Sequence, residues 1–216
     1  MKKIASPLFQ DLSEAELDTL AAAGHLRTRQ FAKHEVIFRA GSCVREIGIV
    51  LRGSVHIENL DLWGTKSILS SAGAGQAFAE TYAFCAEALM VDAVAAEHCE
   101  ILFLHTAAFT DARIEPALQD KLLRRLLAVS MRKNLSLSQR IFCTTPKTVR
   151  GRLLTYFSAQ AARCGRMAFE VPFNRQQMAD YLNLDRSALS KELCKMRDEG
   201  LLEFDKNRFV LKQLPE

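Results

Sequence analysis

The chain has 216 residues, of which 49% are apolar and 25% charged, with a formal net charge of +4. That balance is ordinary for a globular protein, and no uninterrupted apolar run approaches the length needed to span a bilayer. The charge is unevenly placed: residues 1–115 carry 10 Lys+Arg against 15 Asp+Glu, whereas residues 116–216 carry 19 against 10. An acidic front half and a basic back half predict that only the back half meets a polyanion.

Met1-Lys2-Lys3 starts basic, but Ser6-Pro7-Leu8-Phe9-Gln10-Asp11 interrupts any apolar core, so no export signal is read and a cytoplasmic location is expected. Cys43, Cys85, Cys99, Cys143, Cys164 and Cys194 show neither C-x-x-C nor zinc spacing. They read as free thiols, with no metal site.

In chain order, Ser13-Glu14-Ala15-Glu16 is a capping box, and Leu17, Leu20 and Ala21 continue a helix over about 14–23 that stops near Gly24. From Leu26 to Leu104 the rhythm changes to short apolar stretches: 36–38, 47–51, 55–57, 67–69, 91–96 and 101–104. Gly41, Gly53, Gly64, Gly73 and Gly75 punctuate them, which reads as a β-sandwich or barrel.

Residues 113–142 contain no Gly, and Pro116 sits where a helix can begin. Leu118, Leu122, Leu126 and Val129 form one stripe; Leu123, Leu127, Leu137 and Ile141 form a second beside it. A long helix with two apolar rows needs two surfaces to cover them: its own barrel and the same helix of a second subunit, or one large core.

Thr145-Pro146 reads as the start of the next helix, with Val149, Leu153, Leu154, Tyr156 and Phe157 on its apolar face. Residues 169–173 read as a short strand. Asn174 with Gln177 opens a helix over about 175–182, and Asp185 caps another over 186–199 that Gly200 ends. Asp205-Lys206-Asn207 is the tip of a hairpin.

This helix–turn–helix–hairpin carries the strongest functional signal. Leu189, Leu193 and Met196 make one greasy side of the 186–199 helix, while Arg186, Ser187, Ser190 and Lys191 open the other. Exposed, polar residues at the front of a helix are what reading a DNA major groove requires. Arg175 and Gln176 are placed for phosphate, and Lys206 and Arg208 for the flanking backbone. The DNA-binding set is therefore Arg175, Gln176, Arg186, Ser187, Ser190, Lys191, Lys206 and Arg208.

Over nearly its full length the chain resembles the cyclic-AMP receptor protein/FNR (Crp/Fnr) family of bacterial regulators. The matching barrel pieces are His34-Glu35-Val36-Ile37-Phe38, Gly41, residues 47–55, Gly64, Leu69 and Gly75-Gln76-Ala77-Phe78-Ala79-Glu80. In the C-terminal part they are residues 148–154, 174–179, 185–193 and 196–201. The resemblance implies an α+β chain: a double-stranded β-helix (cyclic-nucleotide-binding-like β-roll) sensor over 1–112, a dimerisation helix over 113–143, and a winged helix-turn-helix over 144–216. It implies a homodimer on double-stranded DNA at a near-palindromic operator, with RNA polymerase as a further partner and no membrane.

Nucleotide-binding members open their phosphate cassette with Gly-Glu and follow it about ten residues later with an Arg-Ser or Arg-Thr pair. Here Ala79 precedes Glu80, the pair falls on Met90-Val91, and no Lys or Arg lies between Lys66 and Arg113. A buried phosphate without a cation is penalised, so cyclic AMP is not expected and the effector is unknown. The pocket left behind combines Phe78, Glu80, Tyr82, Phe84, Leu89, Met90 and Val91 with Met131, Asn134 and Leu135, and reads as an apolar ligand site or as filled core. His56, His98 and His105 stand alone and read as surface or core residues rather than haem ligands. No nucleophile–base pair marks an enzyme. A small-molecule sensor whose helical domain binds a protein rather than DNA is the alternative.

Overall fold

The computed structural model describes residues 4–60 and 66–212. The N-terminal Met1-Lys2-Lys3 and the barrel residue Gly64 lie outside the described residues. The chain divides into two compact units, Met1–Arg132 and Lys133–Glu216.

The first unit opens with α1 (Glu14–Ala22), and the capping box forms as expected. The Ser13 N–H donates to Glu16 Oε2 at 2.7 Å and the Glu16 N–H to Ser13 Oγ at 3.2 Å. Among the described residues eight strands follow: β1 (Leu26–Phe31), β2 (Val36–Phe38), β3 (Glu46–Arg52), β4 (Ser54–Leu60), β5 (Lys66–Gly73), β6 (Ala77–Phe78), β7 (Asp92–Ala95) and β8 (Cys99–His105). A short helix α2 (Glu80–Cys85) lies between β6 and β7. The strands form two antiparallel sheets, ordered β1-β8-β3-β6 and β2-β7-β4-β5.

Strand β8 shows why the apolar run at 101–104 is continuous. Leu102 and Leu104 pack with Leu17 and Leu20 of α1, while Ile101 and Phe103 pack into a second cluster with Phe31, Phe38, Val55 and Phe78. With alternate side chains on opposite faces, a strand covered on both sides must be apolar throughout. The interior is aromatic: Phe103 lies 6.1 Å from Phe31 and 5.6 Å from Phe38, and Phe38 lies 5.8 Å from Phe78.

Helix α3 (Pro116–Thr144) begins at the expected proline and runs 29 residues. Its two rows have different fates. Leu118, Leu122 and Leu126 are buried in the first unit's core, whereas Leu123 and Leu127 are 48% and 55% exposed. Among the described residues no helix is long and apolar enough to cross a membrane.

The second unit contains the last turns of α3, then α4 (Val149–Cys164), β9 (Ala168–Glu170), α5 (Arg175–Leu182), α6 (Arg186–Asp198), β10 (Leu202–Asp205) and β11 (Arg208–Leu211). The strands form a sheet ordered β10-β11-β9. Leu153, Tyr156, Phe157, Met178, Leu182, Leu189, Leu193, Met196 and Phe209 make one core. The result is a winged helix-turn-helix.

One expectation needs correction. Thr145-Pro146 does not start α4; Thr148 does, its Oγ1 accepting from the Gly151 N–H at 3.0 Å. The Thr144 and Thr145 hydroxyls instead donate backwards, to Arg140 O and Ile141 O, each at 2.8 Å. A threonine already committed to the preceding helix end cannot cap the next one.

Candidate nucleic-acid interface

Helix α6 is held by its own sequence. Asp185 Oδ1 accepts from the Ala188 N–H at 2.9 Å and from the Ser187 hydroxyl, and these donors, Ser187 first, hold the Asp185 carboxyl below its usual range. Leu189, Leu193 and Met196 face the core and are fully buried. The opposite side leaves Arg186, Ser187 and Lys191 exposed and Ser190 partly so, with the Ser190 hydroxyl donating to Arg186 O at 2.9 Å. Long cationic tips flanked by small hydroxyls can donate to base edges or phosphates without a bulky side chain keeping the helix away.

The remaining expected residues are more varied. Gln176 is exposed and its amide donates to Asp180 Oδ1 at 2.9 Å. Arg175 is not a free surface cation. Its guanidinium lies over the Phe204 and Phe209 rings, 4.9 and 5.1 Å from their centroids, and burial lowers its pKa. Lys206 is exposed at the wing tip with φ +50°, and Arg208 beside it pairs loosely with Glu170 at 3.4 Å.

Sequence reasoning passed over Lys195 and Cys194. With Ser190, Lys191, Asp198 and Glu199 they line one shallow depression along α6. Lys195 sits four residues after Lys191, a spacing that places both on one helix face, and that signal was available. Three further arginines hold the motif from behind. Arg150 pairs with Glu192 of α6 and with Glu199 at its C-cap, and Arg140 and Arg152 donate to backbone carbonyls at the end of α5.

In the first unit the expected effector residues separate. Phe78 and Tyr82 join the aromatic cluster, and Glu80 is buried at 5% exposure. Ala79, ahead of Glu80, takes the left-handed conformation at φ +60°, and no side chain caps α2. Phe84 is half exposed and meets Phe109 edge-on at 5.6 Å; Val91 is half-buried. Met90 and Met131 are exposed, Met90 at 76%; Asn134 belongs to the second unit, where it is exposed.

Two family models match this architecture: a cyclic nucleotide-binding domain over residues 28–113, and a Crp-like helix-turn-helix domain over residues 151–216. The chain belongs to the Crp/Fnr family. Among solved structures, this Crp/Fnr protein is similar to the catabolite activator protein of Thermus thermophilus, with 25% identity over 96% of this chain and 94% of that one, at a TM-score of 0.50. It shares its fold with FixK2 from Bradyrhizobium japonicum (18% identity, 87% and 93% coverage, TM-score 0.52). The same holds for CprK in complex with OCPA (13% identity, 94% and 91% coverage, TM-score 0.63). No curated protein matches its sequence. The Crp/Fnr chain therefore has the architecture of a transcription regulator, a nucleotide-binding-type roll joined in sequence to a helix-turn-helix.

Proposed function

We propose that this chain is a cytoplasmic, homodimeric regulator that binds a near-palindromic DNA operator through α6, under control of an effector that is not a cyclic nucleotide. One observation carries the DNA reading: α6 buries its apolar side completely and leaves Arg186, Ser187, Lys191 and Lys195 in the open at the front and middle of the helix. Arg186, Ser187 and Ser190 are assigned to base edges. Lys191 and Lys195 are assigned to the groove wall, and Gln176, Lys206 and Arg208 to phosphates. Arg175, resting on the wing aromatics, contributes field and support.

Support for a dimer comes from the uncovered row of α3, where Leu123, Leu127, Met131, Leu135, Leu137 and Ile141 are 48–66% exposed. A second copy of α3 covers such a row at little entropic cost, since the helix is already formed. Two recognition helices would then read half-sites roughly 34 Å apart. RNA polymerase enters as a partner through family membership.

The effector reading rests on charge and space. No Lys or Arg lies between Lys66 and Arg113, and Phe31, Phe38, Phe78 and Phe103 occupy the interior of the roll. The guanidiniums over these rings, Arg27 on Phe103 and Arg29 on Phe31, are already paired with Glu46 and Glu35, so an anionic phosphate would have to compete for them. An effector without a phosphate is the reading that the aromatic interior supports.

The test is selection of duplexes from a random-sequence pool, followed by a salt titration. Enrichment of a near-palindrome whose log affinity falls linearly with log salt is expected. Failure to enrich any duplex, or salt-independent affinity, would assign the helical unit to a protein partner instead.

A further inference from the structure

Helix α5 ends in the turn that aims α6, and the last four carbonyls of any helix lack intrahelical partners. Here residues 180 to 183 are each answered by an arginine. Arg140, in the last turns of α3, donates from Nη2 to Asp180 O at 2.9 Å and from Nε to Tyr181 O at 3.0 Å. Arg152, in α4, donates from Nη1 to Leu182 O at 3.1 Å and to Asn183 O at 2.7 Å. The Arg140 guanidinium also lies over the Tyr181 ring, 5.9 Å from its centroid.

Two cations at a helix C-terminus gain from its dipole, and a planar guanidinium can fork onto two successive carbonyls as an ammonium cannot. The turn itself is conformationally demanding. Asn183 sits at φ +52°, and its N–H and that of Leu184 fold back to Asp180 O and Ala179 O. The two arginines add a hold from outside to a turn that these backbone bonds close from within.

The arginines differ in origin. Arg152 belongs to the helix-turn-helix scaffold, whereas Arg140 belongs to α3 and lies between Leu137 and Ile141, which are 59% and 66% exposed. Whatever covers those two side chains bears on the helical turn that carries Arg140.

We propose that Arg140 is a positioning residue for DNA recognition: its two-carbonyl fork fastens the end of α3 to the α5–α6 turn and so sets the orientation of α6. The inference rests on the DNA-binding reading. It assigns to one side chain the link through which a change in α3 reaches the recognition helix, without contact between Arg140 and DNA.

The experiment uses the full chain and a duplex enriched by the wild-type protein from a random pool. Affinity is read by fluorescence anisotropy and local order by amide hydrogen exchange. Arg140→Ala should weaken binding about tenfold, a typical size for a coupling residue outside the interface. Amide exchange in 180–187 should accelerate, while Leu153–Phe157 and the wing strands keep wild-type exchange. Arg140→Lys keeps the charge but loses the fork, and should recover less than half of the loss in log affinity. Wild-type affinity in Arg140→Ala overturns the inference alone, as does full rescue by lysine, which would leave charge as the operative property. Faster exchange through the whole C-terminal unit also overturns it, because Arg140 would then support the fold at large. Failure of the wild-type chain to enrich any duplex removes the DNA-binding reading, and this inference with it.

Discussion

Arg150 donates from Nε to Glu192 Oε1 at 2.5 Å, tying α4 to the acidic side of α6. The same guanidinium reaches Glu199, seven residues further along the helix, from Nη2 at 2.9 Å. Glu192 and Glu199 would otherwise oppose the positive field of Lys191 and Lys195 on the same helix. Pairing both carboxylates with Arg150 weakens that opposition, although Glu199 lines the same depression as Lys191 and Lys195.

That pairing predicts a pH dependence. Bonding to Arg150 lowers the Glu199 carboxyl below its ordinary value of about 4.3. A carboxyl depressed in the fold adds stability that is present above the unfolded value and is lost as pH falls through the folded one. Arg150→Met should therefore lower Tm slightly at pH 7, as expected for a solvent-screened pair, and the gap to wild type should narrow below about pH 4. Thermal melts of both proteins at the two pH values decide it, and parallel curves would mean the ion pair is energetically idle.

How much of this was legible in the sequence depends on where each signal lies. The caps at Ser13, Asn174 and Asp185 announce their helices because side chain and spacing carry the geometry. Strand β1 carries no such mark: only its end residues Leu26 and Phe31 are buried, and Arg27 to Gln30 between them are exposed, so no alternation announces it. Helix α2 hides for a different reason, since the left-handed Ala79 that opens it carries no capping group. Thr145-Pro146 was a decoy three residues ahead of the true cap. The roles of Arg140 and Arg152 could not be read at all, because their acceptors are backbone carbonyls, which every residue has.

The two faces of the helices predict different outcomes for one type of substitution. Leu193 is fully buried, so Leu193→Ala should cost about 2–5 kcal/mol of stability and show in urea unfolding. Leu127 is 55% exposed, so Leu127→Ala should leave the fold of one chain intact and instead shift the monomer–dimer balance toward monomer. Sedimentation velocity over a concentration series reads the second effect. An unchanged association constant would exclude Leu127 from the subunit interface.

Thiol chemistry should divide the six cysteines. Cys43, Cys85, Cys164 and Cys194 are exposed, whereas Cys99 and Cys143 are buried and burial pushes their pKa values up. Because the thiolate is the reactive form, an aromatic disulfide reagent should modify four thiols quickly and two only on unfolding. Modification at Cys194, in the α6 depression, should also weaken DNA binding, and prebound duplex should protect it. Six equal rates would contradict the packing of Cys99 and Cys143.

The last prediction separates base reading from phosphate contact on α6. Arg186 stands at the first position of the helix and is exposed, where a guanidinium can fork onto a guanine edge. Arg186→Ala should cost about 1–3 kcal/mol against the selected operator and relax the base preference at one position of each half-site. Lys195 lies two and a half turns further along, where an ammonium meets the sugar–phosphate wall. Lys195→Ala should weaken every duplex alike and reduce the salt slope by about 1. Anisotropy titrations on the operator and its single-base variants at three salt concentrations resolve both effects. An Arg186→Ala loss that is the same for every base variant would reassign Arg186 to phosphate and move the base contact to Ser187 or Ser190.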